Sequence, residues 1–449
     1  MKIKWYTNAC VRISANDGTN ILCDPWVNPG AFLGSWFQWP PLPEDFGELL
    51  LREPCDGIYI SHLHPDHYDP KFIAKFSRSR PDVPIYIAEF AHEWLKRSLR
   101  SVVSGNTNVI EVPTLQEIDV GGSLSLKIFA ADTCNPSVCG SNIPCQTNPV
   151  VRGIDSIGVF RADGKIVVNA NDAMGVQLIP RIAANIGHAD LIMGHYGGAS
   201  PYPQCFPEVV DKKTAALAVV QDACKMLISA ADALQAKYVM PFAGQYILGG
   251  RLSGLNADRA TLPLDKAALY IQSQTARKVL TVMPFGELDL DSENWGQSYI
   301  EPEESMSDQY LDKISKSTFP YEDLDLQPWL DVDANLLAAA QPILERSRFA
   351  QIGFANSFVI KDQKHSITIN LDPEKIMSGI SLGINPIFSN ITTIEMPENL
   401  LRRLTSRVSG YKGFTTMHWN QADVGSHFIW HRIGQFDLAS HALLNFFGI

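Results

Sequence analysis

The feature that most constrains this chain is a histidine-rich segment, residues 61–67, that directly follows a short apolar run. Its sequence, Ser-His-Leu-His-Pro-Asp-His, contains three of the 11 histidines and one aspartate within six residues. A strand followed by a turn would bring these side chains to one point. Imidazole nitrogens and carboxylate oxygens are the donors that borderline transition metals prefer. The segment therefore predicts a metal site at the end of a buried strand.

The composition is typical of a globular protein with a sizeable core, and it narrows the choice of partners. The 449 residues are 45% hydrophobic and 19% charged, and the formal net charge is −11. A negative chain is repelled by phosphate backbones and anionic membranes, so neither nucleic acid nor a membrane is expected as the main partner. No signal peptide is recognised, and no apolar run reaches the length of a bilayer span. A cytoplasmic protein is therefore expected.

Strand and helix signals alternate along residues 1–290, which predicts a layered α/β domain. An Asn-Asp-Gly turn at 16–18 separates two short apolar runs, as in a β-hairpin. An Ala-rich stretch at 209–235 has the apolar spacing of one long helix. Residues 31–41 are rich in aromatic side chains but interrupted by glycine and proline, which predicts a loop.

The character of the sequence changes after residue 290. Residues 291–328 mix acidic residues with proline, which predicts a linker. Residues 329–449 combine helix and strand signals, which predicts a smaller α+β domain. The eight cysteines are scattered, which favours reduced thiols over a disulfide framework. The cysteines of one loop match no zinc or iron–sulfur motif in their spacing; they are Cys134, Cys139 and Cys145.

The histidine-rich segment resembles the His-x-His-x-Asp-His signature of the metallo-β-lactamase superfamily. The resemblance implies an αββα sandwich with two metal ions at one edge, between two sheets. His62 and His64 would bind one ion, and Asp66 and His67 the other. Asp172 follows an apolar strand at the place where this superfamily has an aspartate that bridges both ions. Asp66 and Asp172 would therefore also be the catalytic carboxylates.

Further stretches resemble the metallo-β-lactamase-like part of the CMP-N-acetylneuraminate hydroxylases. They are Asp24-Pro25-Trp26, Arg80-Pro81-Asp82-Val83-Pro84-Ile85-Tyr86, Gly197-Gly198-Ala199-Ser200 with Tyr202-Pro203, and Pro241-Phe242-Ala243-Gly244. Those hydroxylases also have a Rieske cluster domain, whose Cys-x-His pairs this sequence lacks. The resemblance implies oxidation chemistry and leaves the substrate open. Since no flavin, nicotinamide or iron–sulfur motif is visible, a separate reductase is expected to supply the electrons.

Two ligand positions depart from the superfamily pattern. Asp132 stands where a histidine is usual, and the last histidine, expected after the strand at 238–242, is missing. His195 is the substitute that we include in the ligand set. A structural, hydrogen-bonded histidine is the alternative role for it, and other substitutes come from the C-terminal segment: His418, His427 and His431.

An oxygen-rich ligand set favours two iron ions, with zinc or manganese as alternatives. A similar carboxylate substitution occurs in a di-iron β-hydroxylase of the same fold. We therefore predict an oxygenase that oxidises a small substrate with O2 and external electrons, in a pocket lined by Trp36, Trp39 and Tyr246. The alternative is a dizinc hydrolase of an ester, lactone or phosphodiester, in which Asp66 orients the attacking water. A metal-binding scaffold without catalysis is a third class.

Overall fold

The computed structural model describes residues 1–90, 93–131, 154–174, 178–322, 331–348, 350–406 and 418–448. The strands in chain order are β1 Lys2–Thr7, β2 Cys10–Ser14, β3 Asn20–Cys23, β4 Trp36–Gln38, β5 Gly57–Tyr59, β6 Ile85–Ala88, β7 Val109–Val112, β8 Glu117–Gly121, β9 Leu124–Ala130, β10 Ser156–Ala162, β11 Lys165–Asn171, β12 Leu191–Gly194, β13 Tyr238–Pro241, β14 Tyr246–Leu248, β15 Lys278–Val279, β16 Glu287–Asp289, β17 Asn356–Lys361, β18 Ser366–Leu371, β19 Gly379–Leu382, β20 Ile391–Glu395 and β21 Ile429–Ile433.

The α-helices are α1 Ala31–Gly34, α2 Phe46–Arg52, α3 Pro70–Ser79, α4 Trp94–Val102, α5 Leu178–Ile186, α6 Lys212–Ala233, α7 Leu264–Gln274, α8 Glu304–Ile314, α9 Val332–Ser347, α10 Glu398–Thr405, α11 Trp419–Val424 and α12 Leu438–Leu443. Two 3₁₀ helices lie at Gly250–Asp258 and Leu444–Phe446.

Two seven-stranded sheets form a sandwich around the main hydrophobic core. Their strand orders are β16-β1-β2-β3-β5-β6-β7 and β15-β13-β12-β11-β10-β9-β8. Side chains of the two sheets meet between the layers, where Tyr59 on β5 packs against Phe160 on β10 and lies 2.9 Å from Ser156 Oγ. Helix α4 packs on β7, and α6 and α7 pack on β13. The αββα sandwich predicted from the sequence is confirmed.

Local sequence signals located several elements well. Strands β2 and β3 pair antiparallel on either side of the turn at 16–18, as predicted. The Ala-rich stretch forms the single helix α6, and the side chain of Asp211 caps its first turn by accepting from Thr214 N at 3.0 Å.

Helix α6 also differs from the sequence-based expectation about membrane spans. It is the one helix among the described residues that is long and apolar enough, by length and composition alone, to cross a membrane. Asp222 and Lys225 interrupt its apolar run, so the sequence itself has no uninterrupted apolar segment of this length here. In the structure α6 packs against β13, α5 and α7.

The aromatic segment at 31–41 is more regular than its glycines and prolines predicted. Its residues Trp36–Gln38 form β4, which pairs antiparallel with β14 in the register Trp36↔Leu248 and Gln38↔Tyr246. The partner strand lies far away in the chain, so no local pattern indicates the pairing. The prediction of an irregular loop was therefore wrong for these three residues, and the short helix α1 also lies in this segment.

The C-terminal part contains a five-stranded sheet in the order β19-β18-β17-β20-β21, with α9 packed on it. Its hydrophobic core also includes residues from the first part of the chain, among them Trp26, Phe32, Trp36 and Tyr246. The segment expected to be a linker contains the helix α8. The C-terminal part is therefore packed against the sandwich through a shared core.

The close packing beside β12 gives a prediction for Gly197. A methyl group at this position would lie 2.9 Å from the backbone oxygen of Gly244. Since a backbone atom cannot move aside easily, Gly197→Ala should lower the free energy of unfolding by about 1–3 kcal/mol in chemical denaturation. Gly254→Ala is the matched control, because no atom lies within 4 Å of the added methyl group there. Equal unfolding free energies for the two variants would contradict this packing.

Candidate metal centre

The site forms where parallel strands of both sheets end at one edge of the sandwich. Strand β5 is parallel to β3 and β6, and β11, β12 and β13 are parallel to one another. The chain leaves β5 into the histidine-rich segment, and it leaves β11 at Asp172. Carboxyl ends of parallel strands lie together at one sheet edge, which is where ligand sites form in such folds. The strand order thus brings two distant chain segments to one place.

A first group of donors consists of two histidines and an aspartate. His62 Nε2 lies 3.0 Å from His64 Nδ1 and 3.5 Å from Asp155 Oδ1. The ligand atoms of these three residues all lie within 4.8 Å of one another. They can therefore bind one metal ion together.

A second group surrounds His67. Its Nε2 atom lies 3.5 Å from Asp172 Oδ2 and 3.6 Å from Asp66 Oδ2. Asp172 Oδ2 is also 3.9 Å from His62 Nε2, and His62, His67 and Asp172 form another group whose ligand atoms lie within 4.8 Å. Asp172 therefore faces both halves of the cluster, as a bridging carboxylate does.

The buried carboxylate of Asp24 orients two of these histidines. It accepts hydrogen bonds from Ser61 N at 2.7 Å, from Ser61 Oγ at 2.7 Å and from His67 Nδ1 at 2.9 Å. Since the Ser61 hydroxyl donates to Asp24, it accepts from His62 Nδ1, which is 2.9 Å away. In their neutral, metal-binding forms both histidines are thereby left with an Nε2 lone pair that faces the cluster. Carboxylates commonly fix metal-binding histidines in this way.

The donors fit a divalent metal ion. His67 Nε2 and Asp66 Oδ1 are buried and have no hydrogen-bond partner among the described residues. Burial raises the pKa of Asp66 to about 6, and the neighbouring Asp172 carboxylate adds to this rise. Burial also lowers the pKa of the His62 imidazole well below its usual value. A cation at the centre would satisfy these atoms and stabilise the carboxylates.

Two further predicted ligands are Asp132 and His195. Asp132 lies outside the described residues. His195 follows β12, and its ring Nδ1 lies 3.2 Å from the backbone oxygen of Asn171. Burial alone would raise the pKa of Asp172, but His67 and His62, with a smaller contribution from His195, lower it below its usual value. His195 is thus a neighbour of the cluster, outside the two groups of converging ligand atoms among the described residues.

Sequence reasoning missed Asp155. Ser156, the first residue of β10, pairs with Ala130, the last residue of β9. Ala131 N donates to Asp155 O at 2.8 Å, so Asp155 lies beside the residue that precedes the predicted ligand Asp132 in the sequence. The antiparallel pairing of these two strands is the signal that would have included Asp155 in the search.

The three C-terminal histidines considered as substitute ligands have different surroundings. His418 caps α11 by accepting from Asn420 N at 3.1 Å, and Asn420 Oδ1 lies 2.8 Å from His64 Nε2. His427 lies between the Tyr321 hydroxyl at 2.7 Å and the backbone oxygen of Phe32 at 2.9 Å. His431 is exposed on β21. The C-terminal residue that contacts a predicted ligand here is thus an asparagine, which sequence reasoning also missed.

The three aromatic residues that were predicted to line a pocket lie in two separate places. The Trp36 and Tyr246 rings are stacked, with centroids 3.4 Å apart. Phe32 connects them to the centre, since its ring lies 4.5 Å from that of Trp36 and 5.5 Å from that of His64. Trp39 belongs to a separate cluster with Phe37, Ile247 and Ile314, and it donates to Glu301 Oε1 at 2.7 Å.

Residues 19–242 match the beta-lactamase superfamily domain. The chain belongs to the metallo-β-lactamase superfamily. The chain is 30% identical over 192 residues to a protein of Mycobacterium tuberculosis that is named as a Rieske 2Fe-2S iron-sulfur protein. This match covers 42% of the chain and 33% of the relative. It is 33% identical over 122 residues to the cytidine monophosphate-N-acetylneuraminic acid hydroxylase of Xenopus laevis, which covers 26% and 20% of the two chains. The matches thus span a third or less of these relatives.

Solved structures resemble this chain more distantly. A variant of the CmlA beta-hydroxylase has 18% identity and a TM-score of 0.40, over 64% of this chain and 53% of that one. The isothiocyanate hydrolase from Delia radicum gut bacteria has 14% identity and a TM-score of 0.39, over 64% and 99%. Such distant similarity does not bear on the reaction.

The role of Asp24 gives a prediction for metal binding. Asp24→Asn replaces an acceptor of three hydrogen bonds by an amide whose NH2 group cannot accept from Ser61 or His67. We expect roughly a 10- to 100-fold loss of metal affinity in calorimetric titration of the metal-free protein. Asp56→Asn, which alters an exposed aspartate that accepts from Asn20 N, should bind metal like the wild type. Unchanged affinity in Asp24→Asn would show that Asp24 does not orient the ligands.

Proposed function

We propose that this protein is a non-haem di-iron oxygenase that oxidises a small substrate with O2 and external electrons. The observation that carries the proposal is the number of carboxylates in the cluster, where Asp66, Asp155 and Asp172 lie among three histidines. Carboxylate oxygens are hard donors, which favour iron or manganese over the zinc of nitrogen-rich sites. The relatives named as hydroxylases support oxidation chemistry as well.

Each ion has its own set of ligands in this proposal. His62, His64 and Asp155 would hold one ion, and Asp66 and His67 the other, with Asp172 between them. Asp132 and His195 are further candidate ligands. Two reduced iron ions held there would supply the electrons that activate O2 for the oxidation of the substrate.

The candidate ligands are unequally exposed, which supports the entry of O2 and substrate from one side of the cluster. His62 and His67 are buried, whereas Asp155 and Asp172 keep 31% and 24% of their side-chain surface exposed. We propose that O2 and the substrate enter on this exposed side. The stacked rings of Trp36 and Tyr246, with Phe32 beside His64, would then limit the access of water to the reacting groups.

The stoichiometry of a hydroxylation shows that the enzyme needs an electron donor as a partner. Insertion of one oxygen atom into a C–H bond consumes O2, two electrons and two protons, and it releases one water molecule. We propose that a separate reductase supplies the electrons. One relative is named after a Rieske cluster, which is an electron-transfer group, and this supports an iron–sulfur protein as the class of donor.

Metal content and O2 consumption test the proposal. Protein purified without added metal from iron-replete cells should contain about two iron ions per chain and consume O2 when a ferredoxin, its reductase and NADPH are present. Asp172→Asn removes the negative charge of the bridging candidate, so we expect it to lower both the iron content and the O2 consumption above background. An oxygen electrode and elemental analysis measure the two quantities.

The hydrolase alternative predicts the opposite results. Zinc without iron, no O2 consumption above that of the redox partners alone, and hydrolysis of bis(p-nitrophenyl) phosphate in the absence of O2 would overturn the oxygenase proposal. A scaffold without catalysis predicts bound metal with neither activity, and ligand substitutions that unfold the protein.

A further inference from the structure

The two ring nitrogens of His64 have different neighbours. Nδ1 lies 3.0 Å from His62 Nε2, inside the first group of ligand atoms. Nε2 points away from this group and lies 2.8 Å from Asn420 Oδ1. Asn420 belongs to α11, so the C-terminal part of the chain directly contacts a predicted metal ligand.

This contact selects one tautomer of the imidazole. A neutral imidazole has a hydrogen atom on only one of its two nitrogens. The carbonyl oxygen of Asn420 can accept a hydrogen bond but cannot donate one, so His64 Nε2 must have the hydrogen. His64 Nδ1 is then left with a free lone pair, which is what a metal ligand needs.

The other tautomer would compete with metal binding. The Ser61 hydroxyl leaves His62 Nε2 with a lone pair, because it accepts from His62 Nδ1. If His64 had its hydrogen on Nδ1, it would donate to His62 Nε2 across the 3.0 Å gap and occupy both ligand atoms. With the hydrogen on Nε2, two lone pairs face each other, and a cation between them relieves their repulsion.

The C-terminal core holds Asn420 in place. His418 accepts from Asn420 N at 3.1 Å and so fixes the start of α11. The neighbouring Trp419 is 1% exposed and packs against Phe428, with ring centroids 4.5 Å apart. At the other end of α11, a methyl group on Gly425 would lie 2.7 Å from the backbone oxygen of Phe32, so this end packs closely on the aromatic segment. These contacts leave α11 little freedom.

We infer that Asn420 is a positioning residue that holds His64 in its metal-binding tautomer, so that the C-terminal part completes the metal centre. The inference rests on the metal centre of the proposed function but not on iron or O2. It also assigns a role in metal binding to a part of the chain that contributes none of the six proposed ligands.

Two measurements on the purified 449-residue chain test the inference. In ¹⁵N NMR spectra of the metal-free wild type, His64 should be the Nε2–H tautomer, whereas Asn420→Ala should show the Nδ1–H form. In titration with zinc alone, Asn420→Ala should lose roughly 10- to 100-fold in affinity for one of two ions, as expected when the partner of a ligating histidine is removed. Asn420→Asp should restore both results towards the wild type, because a carboxylate also accepts from Nε2–H.

Asn385→Ala is the control for a general loss of stability. It removes a side-chain hydrogen bond to Leu382 O at an exposed position of the same C-terminal part. It should leave the His64 tautomer and the zinc affinity unchanged. A wild-type tautomer in Asn420→Ala, an unchanged zinc affinity, or an equal loss in Asn420→Asp would overturn the inference. If zinc binding depends on Asn420 but the protein holds no iron and consumes no O2, the oxygenase proposal fails and this inference stands.

Discussion

The hydrogen bonds of Asp24 are the interaction on which the geometry of the site depends. This buried carboxylate lies at the end of β3 and accepts from the backbone and hydroxyl of Ser61 and from His67. Its own backbone has a positive φ of 45°, a conformation that non-glycine residues adopt at a cost, while its N–H donates to Tyr59 O on β5. Asp24 thus joins β3 to the neighbouring strand β5 by a hydrogen bond and orients two predicted metal ligands, His62 and His67.

The sequence predicted what depends on local pattern. The segment that contains His62, His64, Asp66 and His67 places them after a buried strand, and their spacing suffices to locate the cluster. Asp172 was predicted from the resemblance to the metallo-β-lactamase superfamily together with its place after another apolar strand, and the structure brings it within 4 Å of His62 and His67. The long helix α6 was predicted from its apolar spacing and its alanine content, which are also local features.

The sequence could not predict contacts that depend on distant partners. Asp155 precedes β10 and becomes a neighbour of His62 only through the pairing of β9 with β10. Asn420 reaches His64 only because the C-terminal part packs against the aromatic segment. The strand β4 depends in the same way on β14. A single asparagine or a three-residue strand leaves no recognisable pattern, so only tertiary structure reveals its role.

The central claim is that one cluster of three histidines and three aspartates binds two metal ions with different ligands. Anomalous diffraction from crystals of the iron-loaded protein, collected on both sides of the iron absorption edge, tests this claim most directly. We expect two iron peaks, one within bonding distance of His62, His64 and Asp155 and the other of Asp66 and His67, with Asp172 between them. A single peak, or a first ion that Asp155 does not bind, would contradict the account.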